Sequence, residues 1–269
     1  MRNIVTALAV ATIAILITQS SLIRQTSGRE TNAQQRQGNV SEEFHQTYAL
    51  PDGGRVSVKN IVGPVRIAAW DRGEVRVDAV KRAASQEILA EAQIKVAARP
   101  DAIDIETTYP LSSNNEPASV EYTINVPRKA HLERVEIITG ALEIDNVSGD
   151  ISASNTNGQI IARGLASEAR LSTVNGRLEA SFADLNRGKS ILLKSVNGEI
   201  TLRLPDNANA DVKASSMRGR IKNDFGLTAN RGEPNGSSLA GVLGQGGARI
   251  TLDNMNGSIA ILRSNGTAH

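Results

Sequence analysis

Apolar and polar positions recur in a fixed pattern around glycine along most of the chain. Two residues after each of Gly63, Gly140, Gly149, Gly158, Gly176, Gly198, Gly219 and Gly257 stands an aliphatic residue: Val65, Leu142, Ile151, Ile160, Leu178, Ile200, Ile221 and Ile259. Four residues after, the position is apolar again (Ile67, Ile144, Ala153, Ala162, Ala180, Leu202, Ile261), except at Asn223. A period of two is the signature of a half-buried strand. Two residues before these glycines stand Ile61, Ile138, Val147, Thr156, Val174, Val196, Met217 and Met255, and three before are mostly small polar residues, among them Asn60, Asn155, Thr173, Ser195, Ser216 and Asn254. Self-similarity in register at so many places is the mark of a repeat architecture.

Asparagine precedes the glycine at Asn157, Asn175, Asn197 and Asn256. Asn-Gly between two β runs normally signals a hairpin, because both residues tolerate positive φ. The flanking residues argue otherwise. In a two-residue hairpin they face each other across the strands and share a face, whereas here Val174, Val196 and Met255 precede the pair and Arg177, Glu199 and Ser258 follow it. That mismatch predicts an inward-facing apolar residue before a corner and an outward-facing polar one after it, in a chain that keeps winding one way.

The intervals agree with winding. Gly140 to Gly158 and Gly158 to Gly176 are each 18 residues, Gly176 to Gly198 is 22, and Gly198 to Gly219 is 21, one coil of a parallel β-solenoid apiece, with Gly149 at a second corner. Gly219 to Gly257 spans 38 residues, read as two coils with 226–247 spilling out as a loop. Coils in register place like residues over like. The spacing therefore predicts a side-chain ladder from Asn157, Asn175, Asn197 and Asn256, and a stack of alternating charge from Arg177, Glu199 and Arg220.

Upstream, the pattern predicts strands at 55–59, 64–69, 74–79, 94–98, 103–108 and 120–126, a loop over 110–117, and one short helix over 86–92 capped by Ser85. This helix is expected to cover an open end of the solenoid, where unpaired strand edges invite aggregation. Arg2 precedes an apolar run from Ile4 to Ile17, followed by Thr18-Gln19-Ser20, so residues 1–23 read as a signal peptide or a retained signal-anchor. The polar stretch 24–41 reads as a flexible linker. The domain reading is then 42–118 as a β-rich lead-in, 119–264 as the solenoid and 265–269 as a tail.

Composition narrows the chemistry. The 269 residues are 40% hydrophobic and 22% charged, as in ordinary folded proteins. Net charge is +2 with the signs interspersed, which speaks against nucleic acid as a partner. Zero cysteines exclude disulfides, thiolate metal sites and a lipid-modified cysteine. The histidines are His45, His131 and His269, without a metal-ligand spacing.

Several fragments invite a catalytic reading. Parallel β-helices include polysaccharide lyases and hydrolases, and Arg220-Ile221-Lys222 spells a motif of the galacturonan hydrolases. Its companion motifs are missing, and the three residues fill the polar, aliphatic, polar slots of every repeat. Glu143 with Asp145 or Asp150 would need a separation of about 5–9 Å and one raised pKa to act as a glycosidase pair. Gly244-Gln245-Gly246-Gly247 lacks a dinucleotide fingerprint, since Arg249 stands where the third glycine belongs, and reads as a loop. Trp70, Tyr48, Tyr109 and Tyr122 all precede residue 131, which argues for buried packing of most of these rings over a carbohydrate platform.

The runs EEFHQTYAL, GGRVSVKNIVGPVRI, VEYTINVPRKAHLERVEI, TVNGRLEAS, SVNGEITL and GQGGARITLDNMNGSIAI, in this order over 42–263, resemble the bacterial β-strand-repeat proteins called "putative adhesins", the LiaG-like domain of unknown function. The resemblance implies an extracytoplasmic, all-β fold, a single-stranded right-handed parallel β-solenoid, associated with the cell envelope and carrying no catalytic set. The resulting expectation is a non-enzymatic adhesin or scaffold, without cofactor or metal, binding an envelope glycan, lipid or protein through a solenoid face, with residues 3–23 as a membrane tether if uncleaved. An envelope-stress sensor or binding module, and a carbohydrate-active enzyme, are the alternatives. Oligomeric state is not encoded in any pattern of the chain.

Overall fold

The structure is a computed structural model describing residues 40–110, 116–185, 188–232 and 235–264. The signal or anchor segment 1–23, nearly all of the 24–41 linker and the 265–269 tail lie outside the described residues. The chain is all-β, built as two parallel-rich sheets that do not close into a barrel, a β-solenoid-like arrangement.

The first sheet runs β1 (Val40–Ala49), β4 (Glu74–Ala83), β7 (Ser119–Pro127), β3 (Val65–Trp70), β9 (Leu142–Asp145), β11 (Ile160–Leu165), β13 (Leu178–Phe182), β15 (Ile200–Leu204), β21 (Ile259–Arg263) and β17 (Ile221–Asn223). The second runs β18 (Ala229–Gly232), β19 (Gly236–Leu243), β16 (Ala210–Arg218), β20 (Ala248–Asn256), β14 (Ser190–Asn197), β12 (Ala169–Asn175), β10 (Ile151–Asn157), β8 (His131–Thr139), β2 (Arg55–Val62), β6 (Ala102–Thr108) and β5 (Gln93–Arg99). A coil is one strand of the second sheet, a corner, and the next strand of the first. β10 with β11 and β12 with β13 are examples, paired in parallel to their neighbours. Alternate residues point between the sheets, so that Ala169 and Leu171 meet the layer of Leu178, Ala180 and Phe182, all buried in one continuous core.

The corner glycines stack directly on one another. Gly158 donates its amide to Asn175 O at 2.8 Å, and Gly176 to Asn197 O at 2.9 Å, so the ladder continues around the bend. Backbones approach so closely there that a Cβ on Gly176 would overlap the carbonyl oxygen of Gly158, and one on Gly158 that of Gly140. Gly176 also has φ +154°, which disfavours an L side chain. Gly149 lies at a different bend, against the carbonyl of Ala130.

Three sequence expectations are corrected. First, residue 118 does not separate a lead-in from the solenoid: β2 and β3 form a regular coil, stacked in parallel on β8 and β9. Second, residues 226–247 are not simply a loop. They include the hairpin β18–β19, and β19 pairs antiparallel with β16 and extends the second sheet. Small residues such as Gly236, Ser237 and Ser238 leave this hairpin without the aliphatic phase that marks the repeats. Third, the coil of Gly219 does not rest on that of Gly198. The coil of β20 with β21, later in sequence than both, is inserted between them, so Glu199 and Arg220 are separated by Ser258 and no continuous charge stack forms. Gly244–Gly247 makes this insertion feasible: it carries the chain across the start of β16, with Gln245 N–H donating to Asn209 Oδ1 at 2.7 Å and Gly247 N–H to Asp211 Oδ2 at 3.3 Å.

The opposite end shows the same exchange, because β6 and β7 stack outside β2 and β3, which precede them in sequence. The helix α1 (Gln86–Glu91), capped by Ser85, connects β4 of the first sheet to β5 of the second and buries Leu89 completely. Antiparallel strands flank it as well: β4 and β1 beyond β7, and β5 beyond β6. In the terminal coil the buried Tyr122 hydroxyl shares a 2.6 Å hydrogen bond with Thr107 Oγ1, tying the two sheets together. The Tyr109 hydroxyl donates to Ala118 O at 2.7 Å.

Two measurements follow from this packing. Gly176→Ala should destabilise the fold by more than about 2 kcal/mol, because the obstacle is backbone. Gly226→Ala, at φ +73° with open space around it, should cost only the ~1–2 kcal/mol of left-handed backbone strain; equal urea midpoints for the two variants would contradict the stacking. Burial pushes both Tyr109 and Tyr122 up to about 12. Because the folded state retains a proton that the unfolded chain releases near 10, this stabilisation is complete below pH 10 and is lost as pH rises toward 12. Urea titrations between pH 8 and 12 should show the loss, and Tyr122→Phe should make it shallower by roughly 3 kcal/mol.

Candidate binding face

Strand parity decides what each sheet shows outside. Three residues before the corner, the side chain points inward, where the corner carbonyls need donors. Asn155 Nδ2 donates to Gly140 O at 2.7 Å, Thr173 Oγ1 to Gly158 O at 3.2 Å, Asn254 Nδ2 to Gly198 O at 2.7 Å and Ser216 Oγ to Gly257 O at 2.8 Å. Asn60 reaches both Val120 O and Gly63 O. All five are buried. The interior at this end of most coils is therefore polar, Ile137 being the apolar exception, and the sequence trace of it is the column of small polar residues ahead of the glycines.

The next residue consequently points out. Ile138, Val174, Met255 and Met217 are 45%, 40%, 47% and 65% exposed, which reverses the expectation that the apolar residue before Asn-Gly faces the core. With Ile61, Thr156 and Val196 they form a stripe along one border of the second sheet, in the spatial order of the coils. The neighbouring asparagines are also outside. Asn175 Nδ2 donates to Asn157 Oδ1 at 2.8 Å, Asn197 to Asn175 at 2.9 Å and Asn256 to Asn197 at 2.9 Å.

Below the stripe the outward residues are short. Ser152, Ser154 and Ser172 floor a depression of about 210 Å³, rimmed by Arg134, Glu136, Arg170, Leu192 and Lys194. Toward the stripe it joins, through Ser154, Ser172 and Lys194, a larger one of about 490 Å³ walled by Val174, Val196, Met217 and Met255. Toward the other border it joins, through Ser152 and Arg170, a third of about 330 Å³ around His131 and Asp150. A single shallow groove thus crosses the second sheet.

The outer surface of the first sheet contrasts with this. Arg66 meets Glu143 at 2.7 Å, Arg163 meets Asp145 at 3.3 Å, Arg203 meets Glu179 at 3.3 Å and Arg82 meets Glu121 at 2.7 Å, each pair linking adjacent strands. Such exposed pairs add little stability, but they occupy these eight charges with one another. Among the described residues, Arg134 and Lys194 in the groove have no ion-pair partner.

The residues considered for catalysis are otherwise engaged. Glu143 and Asp145 face arginines in the first sheet. Partial burial pushes the Asp150 carboxyl up, but the hydrogen bonds that it accepts from the Ser167 hydroxyl and the Glu168 amide, with the nearby Lys189 charge, outweigh burial and hold it below the ordinary aspartate range. A general acid needs the opposite shift. Ser167 donates to Asp150, and His131 Nδ1 accepts the Asp150 N–H at 3.2 Å, so both side chains are engaged by the same residue. His45 sits on the edge strand β1 between Asp78 and Glu43. No cluster of three metal-ligating side chains occurs among the described residues. Arg220, Ile221 and Lys222 sit at the border of the first sheet, with Ile221 buried and its two neighbours exposed.

A protein-family model, Toastrack DUF4097, matches residues 11–262. The chain belongs to this family. No curated protein matches it. Solved structures similar to this Toastrack chain include a "putative cell adhesion protein" of Clostridium sporogenes ATCC 15579, at 15% identity and TM-score 0.47, covering 83% of this chain and 100% of that one. Another is a "putative adhesin" of Bacteroides fragilis NCTC 9343, at 14% identity and TM-score 0.45, covering 83% and 97%. A third, a "putative lipid binding protein" of Parabacteroides distasonis ATCC 8503, has 9% identity and TM-score 0.28 with the same coverage. Among the described residues of the Toastrack chain, no helix is long and apolar enough to cross a membrane.

The two asparagine columns should respond differently to truncation. Asn155→Ala leaves the Gly140 carbonyl without its buried side-chain donor and should cost about 1–3 kcal/mol, whereas Asn175→Ala breaks an exposed rung and should cost about 1 kcal/mol or less. Chemical denaturation of both variants checks the ranking.

Proposed function

We propose that this Toastrack chain is a non-enzymatic, extracytoplasmic binding protein, an adhesin or scaffold of the cell envelope, that holds its partner on the outer face of the second sheet. The observation that carries this reading is the groove crossing that face, in which Arg134 and Lys194 have no ion-pair partner among the described residues. A stack braced by backbone bonds at every coil presents such a groove without needing to order it on binding, which limits the entropic penalty of association. The apolar run after Arg2 and the polar spacer behind it support export, and the family resemblance supports a single-stranded, right-handed winding. Engagement of Glu143, Asp145 and Asp150 by other groups supports binding over catalysis.

The test is cosedimentation of the purified full chain with isolated cell envelopes. Ser172→Trp, which fills the groove floor, should weaken retention about tenfold, the effect of ~1.4 kcal/mol. Lys222→Trp, on the exposed border of the first sheet, should leave it unchanged. Equal retention of both variants, with thermal midpoints like that of the parent, would remove the second sheet's face from consideration.

A further inference from the structure

We infer that the groove takes an anionic amphiphile, with its headgroup over the serine floor and one acyl chain along the apolar stripe. This rests on the assignment of binding to the second sheet and adds the chemistry of the ligand. Arg134, Arg170 and Lys194 surround Ser152, Ser154 and Ser172, with Glu136 as the one acid on that rim. Arg170 is only loosely paired, at 3.9 Å from Glu168. Three cations beside three hydroxyls provide charge and donors for a phosphate or carboxylate group.

The adjoining depression is more apolar, although Asp253, beside Lys194 in register, also lines it. Val174, Val196, Met255 and Met217 line it in consecutive coils, and three of the four are substantially exposed. Contiguous exposed apolar side chains mark an interaction site, and methionines adapt to a flexible aliphatic partner. From β10 to β16 the stripe crosses four strand intervals, about 19 Å at ~4.8 Å per strand. One leaflet of the hydrocarbon core is about 15 Å deep, so the stripe accommodates an extended acyl chain. A free anion would leave the apolar wall uncovered, and a neutral lipid would leave Arg134 and Lys194 unmatched.

The experiment is flotation of the full chain with vesicles of phosphatidylcholine alone or mixed with phosphatidylglycerol, and calorimetry with inorganic phosphate. The expected result is binding to the mixed vesicles at least about tenfold tighter than to phosphatidylcholine, since each basic residue near an anionic surface contributes on the order of 1 kcal/mol, and no measurable heat with phosphate. Lys194→Gln with Arg170→Gln should abolish the preference for the mixed vesicles. Met217→Ser with Met255→Ser, at exposed positions outside the core, should weaken binding to them severalfold. Equal affinity for both vesicles, phosphate binding as tight as lipid binding, or indifference to the methionine changes would each overturn the inference. Envelope retention without lipid binding would remove the amphiphile and leave the proposed face standing; loss of both would remove the two together.

Discussion

Successive coils meet at a corner where main chain touches main chain, and nothing larger than hydrogen fits on the Cα. Seven glycines (63, 140, 158, 176, 198, 257 and 219 in spatial order) occupy that column, and a Cβ at any of them would overlap a carbonyl of the adjacent coil. The close approach fixes the register of both sheets at once, because the ladder bonds on either side are measured from the same point. It also leaves a file of glycine carbonyls directed toward the inside of the bend, where water is excluded and each must find a donor.

That need explains the inversion on the second sheet. Small polar side chains turn inward to serve the carbonyls, and parity then places the next side chain outside, whatever its hydropathy. An apolar stripe on the surface is the geometric counterpart of a polar strip inside. Had the corner been lined by side chains instead of backbone, Val174 and Met255 would belong to the core and the second sheet would show only its serines and charges. The surface through which the chain is read to bind is thus a by-product of how its turns are hydrogen-bonded.

Much of the architecture was legible because strand alternation and glycine spacing are local. The aliphatic residues after each glycine, the short helix behind Ser85 and the winding without hairpins at Asn-Gly are all visible in windows of a few residues. Facing was not. The column of Asn155, Thr173 and Asn254 was plain in the sequence, but period two does not say which parity is inward when a strand ends on an apolar residue beside a polar one. The order of coils was also hidden, since Gly198 to Gly219 has an ordinary coil length whether or not another coil is later inserted between them. The groove was illegible for a third reason: Ser152, Ser154 and Ser172 come from two coils, and only stacking makes them neighbours of Lys194 and Arg134.

The exchange of coil order at both ends sets this stack apart from a simple tandem array. In an ordinary solenoid the chain's final turn is an outer cap, and copies can be appended or trimmed there. Here the coil of β20 and β21 is an inner layer, flanked on each side by strands that precede it in sequence. That end of the stack therefore cannot be completed until β20 and β21 have left the ribosome. Evolution can lengthen the array most simply by duplicating turns in its middle, between the two interlocked ends.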